Sequence, residues 1–253
     1  MAWYGFDGYF RPYVSVSERR ALGARELATL LKKSKRTAEP VLLTSGRRHV
    51  ATTFWGKAWC ENLERYADFA NRLPRGRTYV RNGSVLDLAI GKGKVDAYVA
   101  GSELYTVRIG ITPLAKTRWR RVVKRCTGRI GSLVGLLRGE LSADVLSVLC
   151  DAKEGLFPEP REISLDCSCP DSAEVCKHIA AVLYGVGSRL DQKPELFFVL
   201  RQVDQSELIG SATSGAVSRS RKGATKRLAA DKLAGVFGID IVDEPVTPRR
   251  RKS

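Results

Sequence analysis

Four metal-binding side chains crowd into twelve residues of this 253-residue chain: Cys167, Cys169, Cys176 and His178. The whole chain has six cysteines and two histidines, so half of these donors lie in one short stretch. Leu165-Asp-Cys-Ser-Cys-Pro-Asp-Ser-Ala-Glu-Val-Cys-Lys-His178 reads as Cys-x-Cys, a gap of six residues, then Cys-x-His. Three thiolates and an imidazole are a donor set for one tetrahedral Zn²⁺. Four donors at this spacing rarely arise by packing alone, so a metal-free cysteine cluster is the weaker reading.

The spacing also predicts how the donors meet. Ile163 and Leu165 alternate with polar neighbours, which predicts a strand over Ile163–Cys167. Residues two apart on a strand face the same way, so Cys167 and Cys169 can share one ion. Pro170-Asp171-Ser172 turns the chain, and Cys176 and His178 enter from the start of a helix. The free N–H groups there donate to thiolate sulfur, and the positive end of the helix dipole favours anionic ligands. Three thiolates leave the site at a charge of about −1, which those groups and Lys177 offset. Four protein ligands close the coordination sphere, which makes the site structural and leaves no place for a metal-activated water.

Composition narrows the partners. An apolar fraction of 43% and a charged fraction of 28% are ordinary for a globular chain. A net charge of +16 is not, and it favours a polyanion such as nucleic acid. No apolar run reaches the length of about 18 residues that a membrane helix needs. The start, Met1-Ala-Trp-Tyr-Gly-Phe-Asp-Gly, lacks the pattern of a signal peptide. The expectation is a cytoplasmic chain with reduced thiols, compatible with residence on the nucleoid. Cys60, Cys126 and Cys150 then read as small buried residues, and His49 as a surface residue.

The expected fold class is α+β: an antiparallel β meander packed with helices, a zinc-binding segment with short C-terminal helices, and a disordered basic tail. Three domains are expected, at 1–155, 156–210 and 211–253. Residues 1–16 are rich in aromatics, which either pin an extended segment to the body or offer a platform for stacked bases. A helix follows over Glu18–Lys33, capped by Ser17, with Leu22, Leu27, Leu30 and Leu31 on its apolar side. A short strand is expected at Val41–Leu43. Trp55, Trp59, Leu63, Tyr66 and Ala70 recur at helical spacing, which predicts a helix over Phe54–Ala70 with its tryptophans as core anchors. Four strands are expected at Thr78–Arg81, Val85–Ile90, Lys94–Ala100 and Leu104–Ile111. Asn82-Gly83 reads as the turn of a hairpin, and one sheet face as packed on the tryptophan helix.

Helices are predicted at Leu114–Cys126, Ile130–Arg138 and Ala143–Ala152, the last capped by Ser142. From Leu104 to Gly139 there are nine Lys or Arg and no acid. With Trp119, Val122, Val123 and Cys126 facing inward, the cations fan over the outer arc. This is either a solvated face or a surface that follows phosphates, and the missing acids favour the second. The expected contacts are Lys116, Arg118, Arg120, Arg121, Lys124 and Arg125, with Lys177 beside the metal. Further helices are expected at Cys176–Leu190 and Pro194–Gln202, then a short one with Asp204 and Glu207 as a capping-box pair. Residues 211–230 form a basic linker, Leu228–Ile241 an apolar patch, and Pro248–Lys252 a basic end.

At its ligands the chain resembles the SWIM zinc finger, Cys-x-Cys…Cys-x-His, with Cys167, Cys169, Cys176 and His178 at the four positions. Thr53-Phe-Trp-Gly-Lys-Ala-Trp59, Arg72-Leu-Pro-Arg-Gly-Arg77 and Cys176-Lys-His-Ile-Ala-Ala-Val182 extend the likeness to bacterial SWIM proteins of the Swi/Snf-associated type, over about residues 1–210. The resemblance implies a ββα finger, one zinc, a role in binding DNA or protein, and no catalytic residues. The leading expectation is therefore a non-enzymatic zinc module that associates with nucleic acid, DNA first, with low sequence specificity. The alternative is an adaptor docking on a Swi/Snf-type helicase-like ATPase. An enzyme is the weakest reading, because the chain has no P-loop, His-Glu-x-x-His or deaminase pattern. Neither a membrane nor a small-molecule substrate is expected as a partner.

Overall fold

Period-two burial builds the sheet. In the computed structural model of the chain, residues 13–43, 49–65 and 72–209 are described. Strands β1 (Val85–Gly91), β2 (Lys94–Ala100) and β3 (Leu104–Ile111) form an antiparallel meander, and β4 (Ile163–Cys167) adds to β3 in the order β1-β2-β3-β4. Val95, Ala97 and Val99 of β2 stand opposite Ile109, Val107 and Tyr105 of β3, and all six are buried. They form the inner face that a one-sided sheet requires. Cys167 pairs with Val107, Leu165 with Ile109 and Ile163 with Ile111, so Cys167 belongs to the same inner face.

Helix α7 (Lys177–Gln192) lies on that face, and its run from His178 to Ser188 is buried throughout. Two helices back it. From α2 (Phe54–Glu64), the Trp59 indole N–H donates to Leu183 O at 2.8 Å. From α3 (Leu73–Arg81), Gly76 approaches so closely that a Cβ there would lie 2.5 Å from Ala180 Cβ. Helix α8 (Glu195–Arg201) adds Phe197, whose ring packs with Trp55, Trp59 and Phe157. On the other sheet face α1 (Val16–Ser34) rests Leu27 and Leu31 against Leu86 and Ala100. Between β3 and β4 the chain makes α4 (Lys116–Cys126), α5 (Leu133–Arg138), α6 (Ala143–Leu149) and a 3₁₀ turn at Pro160–Glu162. A buried cation ties this excursion back, since Arg201 bonds to Thr112 O at 2.8 Å and to Glu162 at 3.2 Å.

Several expectations need correction. Thr78–Arg81 is the end of α3 and not a strand, because Pro74 in the first turn favours a helix instead of stopping one. Asn82-Gly83 closes that helix: Gly83, at φ +66°, donates to Val80 O, and Ser84 donates to Tyr79 O. This is the bonding of a glycine helix stop. The tryptophan helix packs on α7, and α7 packs on the sheet. Val41–Leu43 is extended but not a strand, although Val41 N donates to Val85 O and Glu39 O accepts from Leu88 N. Ser15, not Ser17, caps α1, bonding reciprocally with Glu18. Leu22 and Leu30 are 58% and 43% exposed, off the buried stripe. Glu207 does not close a capping box but accepts from the Trp119 indole at 3.0 Å.

Among the other residues, Ser142 caps α6 as expected. Cys126 is buried, Cys60 and Cys150 are half-buried, and His49 is exposed. The aromatic segment before Tyr13, Tyr66 and Ala70, the basic linker, the Leu228–Ile241 patch and the Pro248–Lys252 end lie outside the described residues. No helix among the described residues is long and apolar enough to cross a membrane.

Candidate metal centre

The end of β4 and the start of α7 each bring two of the four donors: Cys167 closes the strand with Cys169 just past it, and Cys176 caps the helix that holds His178. Pairing continues past the end of β4: Ser168 N donates to Thr106 O at 3.0 Å, and Thr106 N donates to Ser168 Oγ at 3.0 Å. That extra rung keeps Cys169 on the face of Cys167. Asp171 then accepts from Ala173 N at 3.2 Å and meets Arg72, the residue before α3, at 3.5 Å, which shapes the turn toward α7. Cys176 is the N-cap of α7, with extended backbone and its Sγ accepting from Ile179 N at 3.4 Å. It does what Ser or Asp does at other helix starts, with sulfur as the acceptor.

The four donor atoms lie within 4.8 Å of one another. His178 turns Nδ1 to the sulfurs, at 3.9 Å from both Cys167 and Cys176. Its other nitrogen, Nε2, is buried without a hydrogen-bond partner, facing Gly101, where a Cβ would stand 3.1 Å away. The ring is held by aromatic packing. Tyr105 stacks on it at 4.2 Å and 26°, and Tyr79 meets it edge-on at 5.4 Å. Ser102 fixes Tyr105 through a 2.6 Å hydroxyl bond. A ligating histidine usually leans on a carboxylate or carbonyl through its second nitrogen. Here two tyrosines orient the ring instead.

The electrostatics suit a cation. The bond from Cys167, helped by His178 and the Ile179 N–H, lowers the Cys176 thiol to about 3. The same bond, with burial, pushes Cys167 well above the ordinary thiol range. Crowded thiols thus share a proton that Zn²⁺ would displace. Three sulfurs and one imidazole nitrogen, clustered and partly dehydrated, fit Zn²⁺ as a closed tetrahedral set.

Comparison with known proteins bears on this geometry directly. The SWIM zinc finger family profile matches residues 148–186, from the end of α6 to the middle of α7. The chain carries a SWIM zinc finger. Cys167, Cys169, Cys176 and His178 of the SWIM finger are positioned to bind one zinc ion. Over 170 residues the chain is 36% identical to the uncharacterized protein Rv2102 of Mycobacterium tuberculosis. That match covers 66% of this chain and 61% of the relative, so the chain spans less than two thirds of it. No solved structure matches.

The cations singled out from the sequence separate into groups. Lys116, Arg120, Lys124 and Arg125 are exposed on α4. Arg121 is exposed too, but bonds to Glu154 at 2.7 Å. Arg118 points inward at 8% exposure, donating to Phe157 O at 3.3 Å and lying 3.7 Å from Glu162 and 3.8 Å from Glu159. Lys177 is half-buried at the start of α7. The four metal donors sit by Tyr105 near the start of β3, whereas α4 follows the Ile111 end, about 20 Å of strand away. Sequence reasoning did not single out Tyr79, Tyr105 or Gly101. Tyr105 had a usable signal: it has the same inward parity on β3 as Val107, the partner of Cys167.

Proposed function

We propose that this chain is a non-enzymatic, zinc-stabilised module that associates with nucleic acid, DNA in the first place, with low sequence specificity. The observation that carries this reading is the outer arc of α4. Lys116, Arg120, Lys124 and Arg125 are exposed there, and no acidic residue lies anywhere between Leu104 and Gly139. A row of exposed cations on a fixed helix is what a phosphate backbone recognises, and it carries no base code. The SWIM finger supports the reading as scaffold, since a closed zinc site offers no open position for catalysis. The cytoplasm and its nucleoid are the setting this implies. The test is binding of labelled duplex and single-stranded DNA by the full chain over a salt series. The logarithm of affinity should fall linearly with the logarithm of salt concentration, as counterions are released. Absence of any salt-sensitive affinity for either form sinks the reading.

A second reading is an adaptor docking on a Swi/Snf-type helicase-like ATPase. It draws on Leu133 and Val134, which leave apolar surface exposed on α5. Co-purification at low salt with the ATPase of a neighbouring gene supports it, and separate migration removes it.

A further inference from the structure

The last turn of α4, the turn after it and α6 border an open cleft of about 420 Å³. Lys124, Arg125 and Arg129 line it, with Thr127, Ser147 and a single carboxylate, Asp144. Arg118 and Arg121 are engaged by glutamates. In contrast, Lys124, Arg125 and Arg129 form no salt bridge within 4.0 Å among the described residues, although the Glu154 and Lys153 N–H groups, helped by Arg125, hold the Asp151 carboxyl below its ordinary value. Three cations and one carboxylate line the cleft, and with Asp151 within electrostatic reach of Arg125 the surroundings are still basic on balance. Lys124 and Arg125 can be explained as cations that suit the negative end of the α4 dipole. Arg129 cannot, because it lies beyond the helix in the turn that follows, exposed and facing the same cleft.

The chemistry of the walls selects the ligand. No aromatic side chain lines the cleft, so no base can stack there. Both hydroxyls already donate to backbone carbonyls, Thr127 to Val123 O at 3.0 Å and Ser147 to Asp144 O at 2.8 Å. Recognition is therefore left to the three cations, and a compact anion is what they can hold. The surroundings say which anion. Lys116, Arg120 and Lys124 repeat every four residues and lead to the cleft along one side of α4. Four residues of helix rise about 6 Å, and a nucleic-acid strand presents a phosphate about every 3.4 Å of duplex axis. One cation of the row thus meets roughly every second phosphate.

We propose that this cleft seats a backbone phosphodiester of a nucleic-acid strand, whose further phosphates, roughly every second one, meet Lys116, Arg120 and Lys124 along α4. The proposal rests on the nucleic-acid reading and narrows it to one place, with Arg129 as a contact and base identity unread.

The test uses the full zinc-loaded chain and a fluorescein-labelled oligonucleotide of mixed sequence, single-stranded and as a duplex. The triple variant Lys124→Ala, Arg125→Ala, Arg129→Ala is compared with Arg25→Ala, Lys32→Ala, Lys33→Ala, which removes the same charge from α1 across the sheet. The cleft variant should lose about tenfold or more in affinity at low salt, and its log–log salt slope should shrink by about 2 to 3. The α1 variant should change by less than about threefold. Arg129→Gln, placed outside any helix, gives a milder version in case the triple variant misfolds, with a slope loss of about 1. Equal losses from the cleft and α1 variants, or an unchanged slope in Arg129→Gln, overturn the cleft while leaving nucleic-acid binding intact. If the unaltered chain itself shows no salt-dependent binding, the underlying reading falls and the cleft falls with it.

Discussion

Cys176 has two roles in one side chain. It caps α7 and is a metal donor, so its loss removes a ligand and uncaps the helix that the core is built on. Cys176→Ser keeps an acceptor for the Ile179 N–H and removes the sulfur, which separates the roles. The variant should retain much less than one zinc per chain by elemental analysis and should melt at lower temperature, because structural zinc binding is part of the folding free energy. A full equivalent of zinc in that variant refutes the assignment. Acid should act on the same residues with a definite sign. Cys167 is held protonated above the ordinary thiol range, so binding zinc expels a proton there, and affinity falls as pH falls. Competition with a coloured chelator, repeated from about pH 8 down to about pH 6, should show the zinc transferred progressively to the chelator. The ligands were readable in the sequence because a metal demands particular donors at particular spacings. The tyrosines around His178 were not, since their role comes from chain crossings that no local pattern encodes.

At the level of elements, close approach decides more than propensity. Residues 78–81 have β-branched and aromatic side chains, yet they finish α3, because Leu73, Gly76 and Val80 make a buried stripe against α7. A glycine at positive φ serves a helix stop and a hairpin turn equally well, so Asn82-Gly83 alone could not choose between them. The strands at Lys94–Ala100, Leu104–Ile111 and Ile163–Cys167 were legible to the residue because one-sided burial writes period two into the sequence. The same contacts predict a contrast. Gly76→Ala forces its Cβ to within 2.5 Å of Ala180 Cβ and 2.7 Å of the Ala180 backbone. Overpacking of this kind should cost about 1–3 kcal/mol in urea unfolding. Gly91→Ala, whose Cβ meets nothing nearer than the Lys94 side chain at 3.7 Å, should cost far less.

For the molecule as a whole, the zinc ties the last strand to the central helix. Among the described residues strand β4 pairs only with β3, while α7 touches all four strands. Chelation should therefore raise amide exchange first in β4 and the first turn of α7, and leave the β2–β3 pairing protected longest; uniform exchange across the sheet would contradict this order. One consequence concerns solubility. The outer edge of β1 is covered by the extended Glu39–Val41 segment, and β4 covers the outer edge of β3. Strand β4 is short and places polar Ser164 and Asp166 on its outward positions, which makes a poor template for another chain. Strand β3 is longer, with Tyr105, Val107, Ile109 and Ile111 in line. Once the metal is stripped and β4 peels away, that edge presents unpaired amides and apolar side chains together, the combination that recruits a second chain into a growing sheet. In this fold the zinc thus guards against aggregation as well as holding the native structure.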